Sequence, residues 1–260
     1  MIFPIRDHNP SPHLPAMTWT LIFANVAIYL IVSANYPQGA ALNAFYADWA
    51  LIPRFVSNGH GQIGFLTSQF LHVDGWHLTV NMLVLWLYGD NLEDELGPWG
   101  FALAYLASGV AGGWAQVLAG PDSFAPVIGA SGAIAGIMAA YLFLFPRARL
   151  DVLVVTLVYN RIVPVYAFLV LALWIASQVA GGLLTDASQG GTAYWAHVGG
   201  ALGGVALILP VWLIRGGPWF WKRRSGLPPH PPAGDLGPIR AVPMAQMRRD
   251  ILRRKSQFRS

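Results

Sequence analysis

Cysteine is absent from this sequence. That excludes disulfides, thiol nucleophiles and thiolate metal sites. Charge is scarce: 11% of residues are Asp, Glu, Lys or Arg, where soluble domains carry about a quarter. None of the long apolar runs has a charged residue in its interior. An aspartyl site within the membrane is excluded with them, since it would need aspartates inside the runs. No His-Glu-x-x-His occurs, so His72, His77 and His197 are not read as a zinc site. We therefore expect no metal.

Apolar residues take the place of charge. Hydrophobic residues make up 55% of the chain and mean hydropathy is +0.48, which describes an all-α polytopic membrane protein. Residues 1–16 are polar and broken by Pro4, Pro10, Pro12 and Pro15, and read as a disordered tail. A first span begins at Trp19–Val32. Residues 37–76 are too interrupted to cross and too apolar for a solvated linker, so they read as a loop resting in the bilayer interface. Further spans follow at Trp76–Tyr88, Trp99–Leu118, Ser131–Phe145, Val163–Leu184 and Trp195–Ile214. Val152–Val158 is apolar but too short to cross, and is expected to pack at one face of the bundle. Residues 17–214 thus form one six-helix domain. Residues 215–260 form a basic, Pro-rich tail, disordered apart from an amphipathic turn or two around Met247–Lys255.

Six spans put both ends on one side. Of the 16 basic residues, 11 follow the sixth span, three (Arg147, Arg149, Arg161) lie between spans four and five, and Arg6 precedes span one. Only Arg54 falls opposite. By the positive-inside rule both termini are cytoplasmic, and we expect a multi-pass protein of a bacterial inner (plasma) membrane. Behind a last span, the basic tail reads as an anchor to anionic membrane lipid and not as a nucleic-acid site.

Spans two, four and six then run in the same direction, and their first residues share one depth. His77 opens span two, with Asn81 one turn on; Ser131 opens span four; His197 lies in the first turn of span six. Polar groups gathered inside a membrane read as functional. From Ser131 to Pro146 there are about 15 residues, or ~22 Å of helix against a core of ~30 Å, so Ser131 should lie below the surface on the floor of a cavity. Gly132, Gly136 and Ala140 are spaced by four, as are Ala196, Gly200 and Gly204. Two such smooth faces can approach closely enough for a hydroxyl on one to reach an imidazole on the other.

Four short motifs carry a resemblance: His72-Val-Asp-Gly-Trp-His77-Leu-Thr-Val-Asn81; Gly89 with Glu93 and Leu96-Gly97; Gly129-Ala130-Ser131-Gly132; and Ala196-His197-Val-Gly-Gly200-Ala-Leu-Gly-Gly204. In this order and spacing, from about Pro53 to Ile214, the chain resembles the bacterial type of rhomboid intramembrane serine protease. The resemblance implies a six-helix fold, no cofactor, and cleavage of transmembrane substrate proteins near their outer end. It makes Ser131 the nucleophile and His197 its general base. His77, Asn81 and Gly129, with the Ser131 amide, would bind the oxyanion and substrate; Gly132, Gly136, Gly200 and Gly204 would support the packing. The fifth helix and the 185–194 loop would be gate and cap. Some members stack an aromatic four residues after the serine on the catalytic imidazole; here that residue is Ala135, so His197 must be oriented from elsewhere. The Trp-Arg pair often present in the first loop is also missing, with Thr67 and Ser68 there instead.

Singly, these residues have plainer readings. Ser131 alone could cap a helix, and His197 alone could be an interfacial histidine. The rival for the whole chain is a catalytically inactive rhomboid-like protein that binds membrane clients. A transporter would show inverted repeats or ionisable residues at mid-membrane.

Overall fold

The computed structural model describes residues 2–36, 38–155, 160–187 and 190–233. In chain order, strand β1 (Ile2–Asp7) precedes helix α1 (Ala16–Asn35). Three short helices follow, α2 (Ala40–Trp49), α3 (Pro53–Ser57) and α4 (Gly64–Thr67), and then the long α5 (Gly75–Ala119) and α6 (Ser131–Leu144). Strands β2 (Arg149–Val155) and β3 (Asn160–Tyr166) lead into α7 (Ala167–Leu184), α8 (Tyr194–Ile214) and α9 (Pro218–Arg224).

Helix α5 has 45 residues but is broken at Gly97, whose φ of 70° and ψ of 165° leave the helix just before Pro98. A left-handed φ suits glycine, and proline can open the next helical segment. The two legs match spans two and three. Among the described residues four helices are long and apolar enough to cross a membrane: α1, α5, α7 and α8. With α5 counted as two legs and the 14-residue α6 added, the bundle fits six crossings. An even number also suits the two ends of the described residues, which meet: Ala233 N–H donates to the His8 carbonyl at 2.7 Å and Asn9 Nδ2 to the His230 carbonyl at 2.8 Å.

Helix α6 is the hub, and every residue in it except Ser131 and Phe143 is buried. It crosses α8 on glycine. A Cβ added at Gly200 would overlap the Gly132 carbonyl, and one at Gly204 the Gly136 carbonyl. The acidic stretch after span two fastens the opposite face. Glu93 accepts from Met17 N–H, Thr18 N–H and the Thr18 hydroxyl, each at 2.8 Å, which satisfies the first amides of α1. Buried Glu95 is held between Arg215 and Arg224.

The expected helical bundle carries a small addition. β1, β2 and β3 form an antiparallel sheet in that order, with a bulge between Pro4 and Arg6. The first residues are therefore a strand and not a disordered tail. Their partner lies some 150 residues on, and no local pattern announces it. Asp7 is buried beneath the bundle, accepting from the Tyr141 hydroxyl at 2.5 Å and Asn91 Nδ2 at 2.9 Å. Burial raises its carboxyl above the ordinary range. The fifth helix starts at Ala167, not Val163, because Ile162, Val163 and Val165 are β-branched and Pro164 lacks the N–H a helix interior needs. Residues 37–76, read as one interfacial loop, hold three short helices. In the C-terminal stretch α9 is a helix where disorder was expected. The turn around Met247–Lys255 lies outside the described residues, as do 156–159 of the apolar 152–158 stretch.

Candidate active site

Three helix starts meet below a cavity of about 680 Å³. Its walls include Asn43 and Tyr46 of α2, Asp74 and His77, the 125–128 segment, Ser131, residues 190–193 and His197.

Ser131 is the first residue of α6, where helix amides have no intrahelical acceptor and point at whatever lies beyond. The segment before it is not free to drift. Leu51 and Val127 exchange backbone hydrogen bonds at 3.3 and 2.8 Å, Gly129 N–H donates to the Ser68 carbonyl at 3.0 Å, and Arg54 pairs with Asp122. The first loop is thus the mould for the 120–130 backbone. Ser68, where the resemblance expected an arginine, serves through its carbonyl. Gly129 has φ +130°, and a Cβ there would lie 2.7 Å from His77 Cε1. Only glycine permits both the turn into Ser131 and the close seat of the His77 ring.

Ser131 Oγ lies 2.7 Å from His197 Nε2. The buried His197 stands in the first turn of α8, whose start is tied down by Gln116, accepting from Ala196 N–H at 3.2 Å. The small faces allow the approach: a Cβ at Gly132 would stand 3.3 Å from the Ala196 carbonyl oxygen, and one at Gly136 2.8 Å from that of Gly200. A hydroxyl hydrogen-bonded to an imidazole is the arrangement an activated oxygen nucleophile requires.

His77 faces the same cavity, its helix start capped by Asp74, which accepts from His77 N–H at 2.7 Å. Behind it sits His72, the ring centroids 5.1 Å apart. His72 is buried, and burial holds its pKa down at about 4, so it is neutral near pH 7. Asn81 lies one turn deeper, and its amide nitrogen donates to the His77 carbonyl at 2.9 Å. It is not among the cavity walls. Ser131, His197 and His77 are therefore brought to one cavity with Gly129 beneath, while Asn81 is directed into its own helix.

What orients His197 comes from α7. Gln178 Oε1 is 2.6 Å from His197 Nδ1, and the Trp174 ring lies over the imidazole with centroids 5.2 Å apart. Neither residue was assigned to the site from sequence. The available signal was a lone amide in an otherwise apolar span, and Gln178 is one of only three buried residues of α7. Ala135, four residues beyond Ser131, is fully buried in the hub. Among the described residues no three metal-ligating side chains cluster.

A glycine-built helix crossing, a serine and a histidine at two helix starts, and a broken α5 define a polytopic helical bundle with a polar site sunk into its apolar body. The rhomboid domain model matches residues 60–214, and the chain belongs to the rhomboid family. It is 34% identical over 148 residues to Rhomboid protein 1, mitochondrial, of Saccharomyces cerevisiae, covering 55% of this chain and 40% of that one. It is 27% identical over 190 residues to the human presenilin-associated rhomboid-like protein, mitochondrial, covering 68% and 45%. Rhomboid-like protein 11, chloroplastic, of Arabidopsis thaliana is 28% identical over 218 residues, covering 80% and 68%. The chain thus spans less than half the length of the mitochondrial relatives it matches. Those names overturn the expectation of a bacterial plasma membrane, since they point to organellar membranes. The reason for the miss is physical: lysine and arginine counting reports which side of a membrane a segment takes, and is blind to which membrane it is.

Proposed function

We propose that this rhomboid is an intramembrane serine endopeptidase that cleaves transmembrane helices near the end facing the cavity. The observation that carries the reading is the 2.7 Å contact of Ser131 Oγ with His197 Nε2 on a cavity floor. Ser131 is the nucleophile. His197 takes its proton as the oxygen attacks the peptide carbonyl, then delivers it to the departing amine, and water resolves the acyl-enzyme by the reverse use of the same base. The Ser131 amide and His77 receive the oxyanion, with Asn81 supporting through its bond to the His77 carbonyl. A helical substrate hides its carbonyls, so a segment must unwind to present one. Glycine, proline or small polar residues near that end lower the cost. By analogy with its relatives' names we place the protein in an organellar membrane, its substrates being other membrane proteins and its surroundings lipid.

The test is purified protein in liposomes with a generic transmembrane substrate. Wild type should cleave, while Ser131→Ala and His197→Ala should each abolish cleavage. The double variant should cost little more, because nucleophile and base act as one unit. Undiminished cleavage by Ser131→Ala would overturn serine catalysis here and favour client binding.

A further inference from the structure

A serine–histidine pair is productive only in one of two tautomers. If Nε2 of His197 carries the proton, it can only donate to Ser131, and the hydroxyl has no base. The proton must sit on Nδ1, leaving the Nε2 lone pair for Ser131. The side chain facing Nδ1 is Gln178, at 2.6 Å. An amide alone does not decide the matter, because turning it over exchanges an acceptor for a donor.

The decision is made one residue away. The Ser177 hydroxyl lies 2.6 Å from the Trp174 carbonyl, which can only accept, so the Ser177 proton is committed there. The Ser177 oxygen is left as an acceptor, and 3.0 Å from it lies Gln178 Nε2, which can only donate. With its nitrogen drawn to Ser177, the amide must present its oxygen to His197. The oxygen in turn holds a proton on Nδ1, and Nε2 is free to accept from Ser131 Oγ at 2.7 Å. Every donor direction along Trp174, Ser177, Gln178, His197 and Ser131 follows from one backbone carbonyl. The same residue that supplies that carbonyl lays its ring on the imidazole, so one turn of α7 sets both the tautomer and the tilt of the base.

We infer that Gln178, its amide directed by Ser177, is the positioning residue that fixes His197 in the Nδ1–H tautomer. This rests on the proteolytic reading of the site. Its added consequence is that the base is set by α7, a helix that buries only Ala167, Leu171 and Gln178. Any outward displacement of α7 takes the Nδ1 partner with it, and the site is competent only while α7 is seated.

The test uses full-length protein with 15N-labelled histidine, the His197 signals being assigned by their loss in His197→Ala. Imidazole 1H–15N spectra report the tautomer without any turnover, and cleavage of a transmembrane substrate in liposomes reports kcat and KM. Wild type should show the Nδ1–H form. Near-isosteric Gln178→Met should lose it, with kcat down about tenfold, the upper range of one neutral hydrogen bond, and KM within about twofold. Gln178→Glu, which keeps an acceptor, should retain the Nδ1–H form and most of kcat. Lipid-facing Leu173→Ala, 74% exposed, is the control. Should Gln178→Met fail to fold, Ser177→Ala leaves the amide in place but undirected, and should give a mixture of tautomers. An unchanged Nδ1–H signal in Gln178→Met, or in Ser177→Ala when that variant stands in for it, overturns the inference whatever the rate does. So does a change carried by KM alone. Failure of the protease reading would appear separately, as cleavage surviving Ser131→Ala.

Discussion

Gly200→Ala is the sharpest single test of the helix crossing that brings serine and histidine together. A methyl at residue 200 would lie 2.8 Å from the Gly132 carbonyl carbon and 3.2 Å from its Cα, and would overlap the carbonyl oxygen. Carbon atoms rest at about 3.5–4.0 Å, so the carbonyl carbon alone requires α6 and α8 to separate by at least roughly 0.7–1.2 Å. Both partners are backbone, and no rotamer change relieves the clash. Ser131 adjoins Gly132, and His197 lies three residues before Gly200, so the separation falls almost directly on their 2.7 Å contact. It would stretch beyond about 3.2 Å, the limit of a useful hydrogen bond. Overpacking should cost about 1–3 kcal/mol of stability. A misplacement of about 1 Å between nucleophile and base can cost on the order of a hundredfold in rate. Cleavage in liposomes and thermal unfolding in detergent read the two effects. Leu202→Ala on the same helix, 67% exposed, should change neither. Wild-type cleavage and stability in Gly200→Ala would refute the claim that backbone contact at this crossing sets the site.

Gly129→Ala forces a side chain into a φ of +130° and against the His77 ring. It should lower cleavage at least as far as His77→Ala does, while leaving the fold intact by circular dichroism. His77→Ala itself should cost about 10²–10³ in kcat, the usual worth of one oxyanion donor, with the Ser131 amide left in place; an unchanged kcat would remove His77 from that role. Asp7→Ala leaves the Tyr141 hydroxyl and Asn91 amide without their buried acceptor. It should destabilise the protein by about 1–3 kcal/mol in denaturant unfolding, with no direct effect on KM.

The parts of this structure legible in sequence share one property: the signal is local and repeats. Ser131 and His197 each open an apolar run among small residues, and the four-residue spacing of Gly200 and Gly204 announces a close crossing before any coordinates exist. Gln178 shows the opposite case. Its role depends on Ser177 beside it and on His197 in another helix. In a linear reading it is one neutral amide in an apolar run, invisible to a search for charged residues in spans. β1 was missed because strand pairing is non-local: Pro4 and Pro10 suggest disorder, and nothing near them reveals β2. The 163–166 stretch was misread because apolar β-branched residues satisfy a hydropathy window as well as helix formers do, and here Pro164 was the cue that should have ended the span.

The shortness of α6 bears on how the protein meets membranes of different thickness. Its 14 residues span about 21 Å, roughly 9 Å less than a hydrocarbon core. A lipid-facing helix so short would thin the bilayer around it. Helix α6 is buried by its neighbours except at Ser131 and Phe143, so it offers lipid little surface and the shortfall becomes the cavity above Ser131. The depth of Ser131 is then a property of the protein, whereas a substrate helix would rise and sink with the bilayer that holds it. If the protein cuts as proposed, moving it between liposomes of different acyl length should slide the scissile bond along a fixed substrate by about one residue for each 1.5 Å of helix, readable by mass spectrometry of the products. An unmoved cut would mean that substrate side chains, not depth, choose the bond.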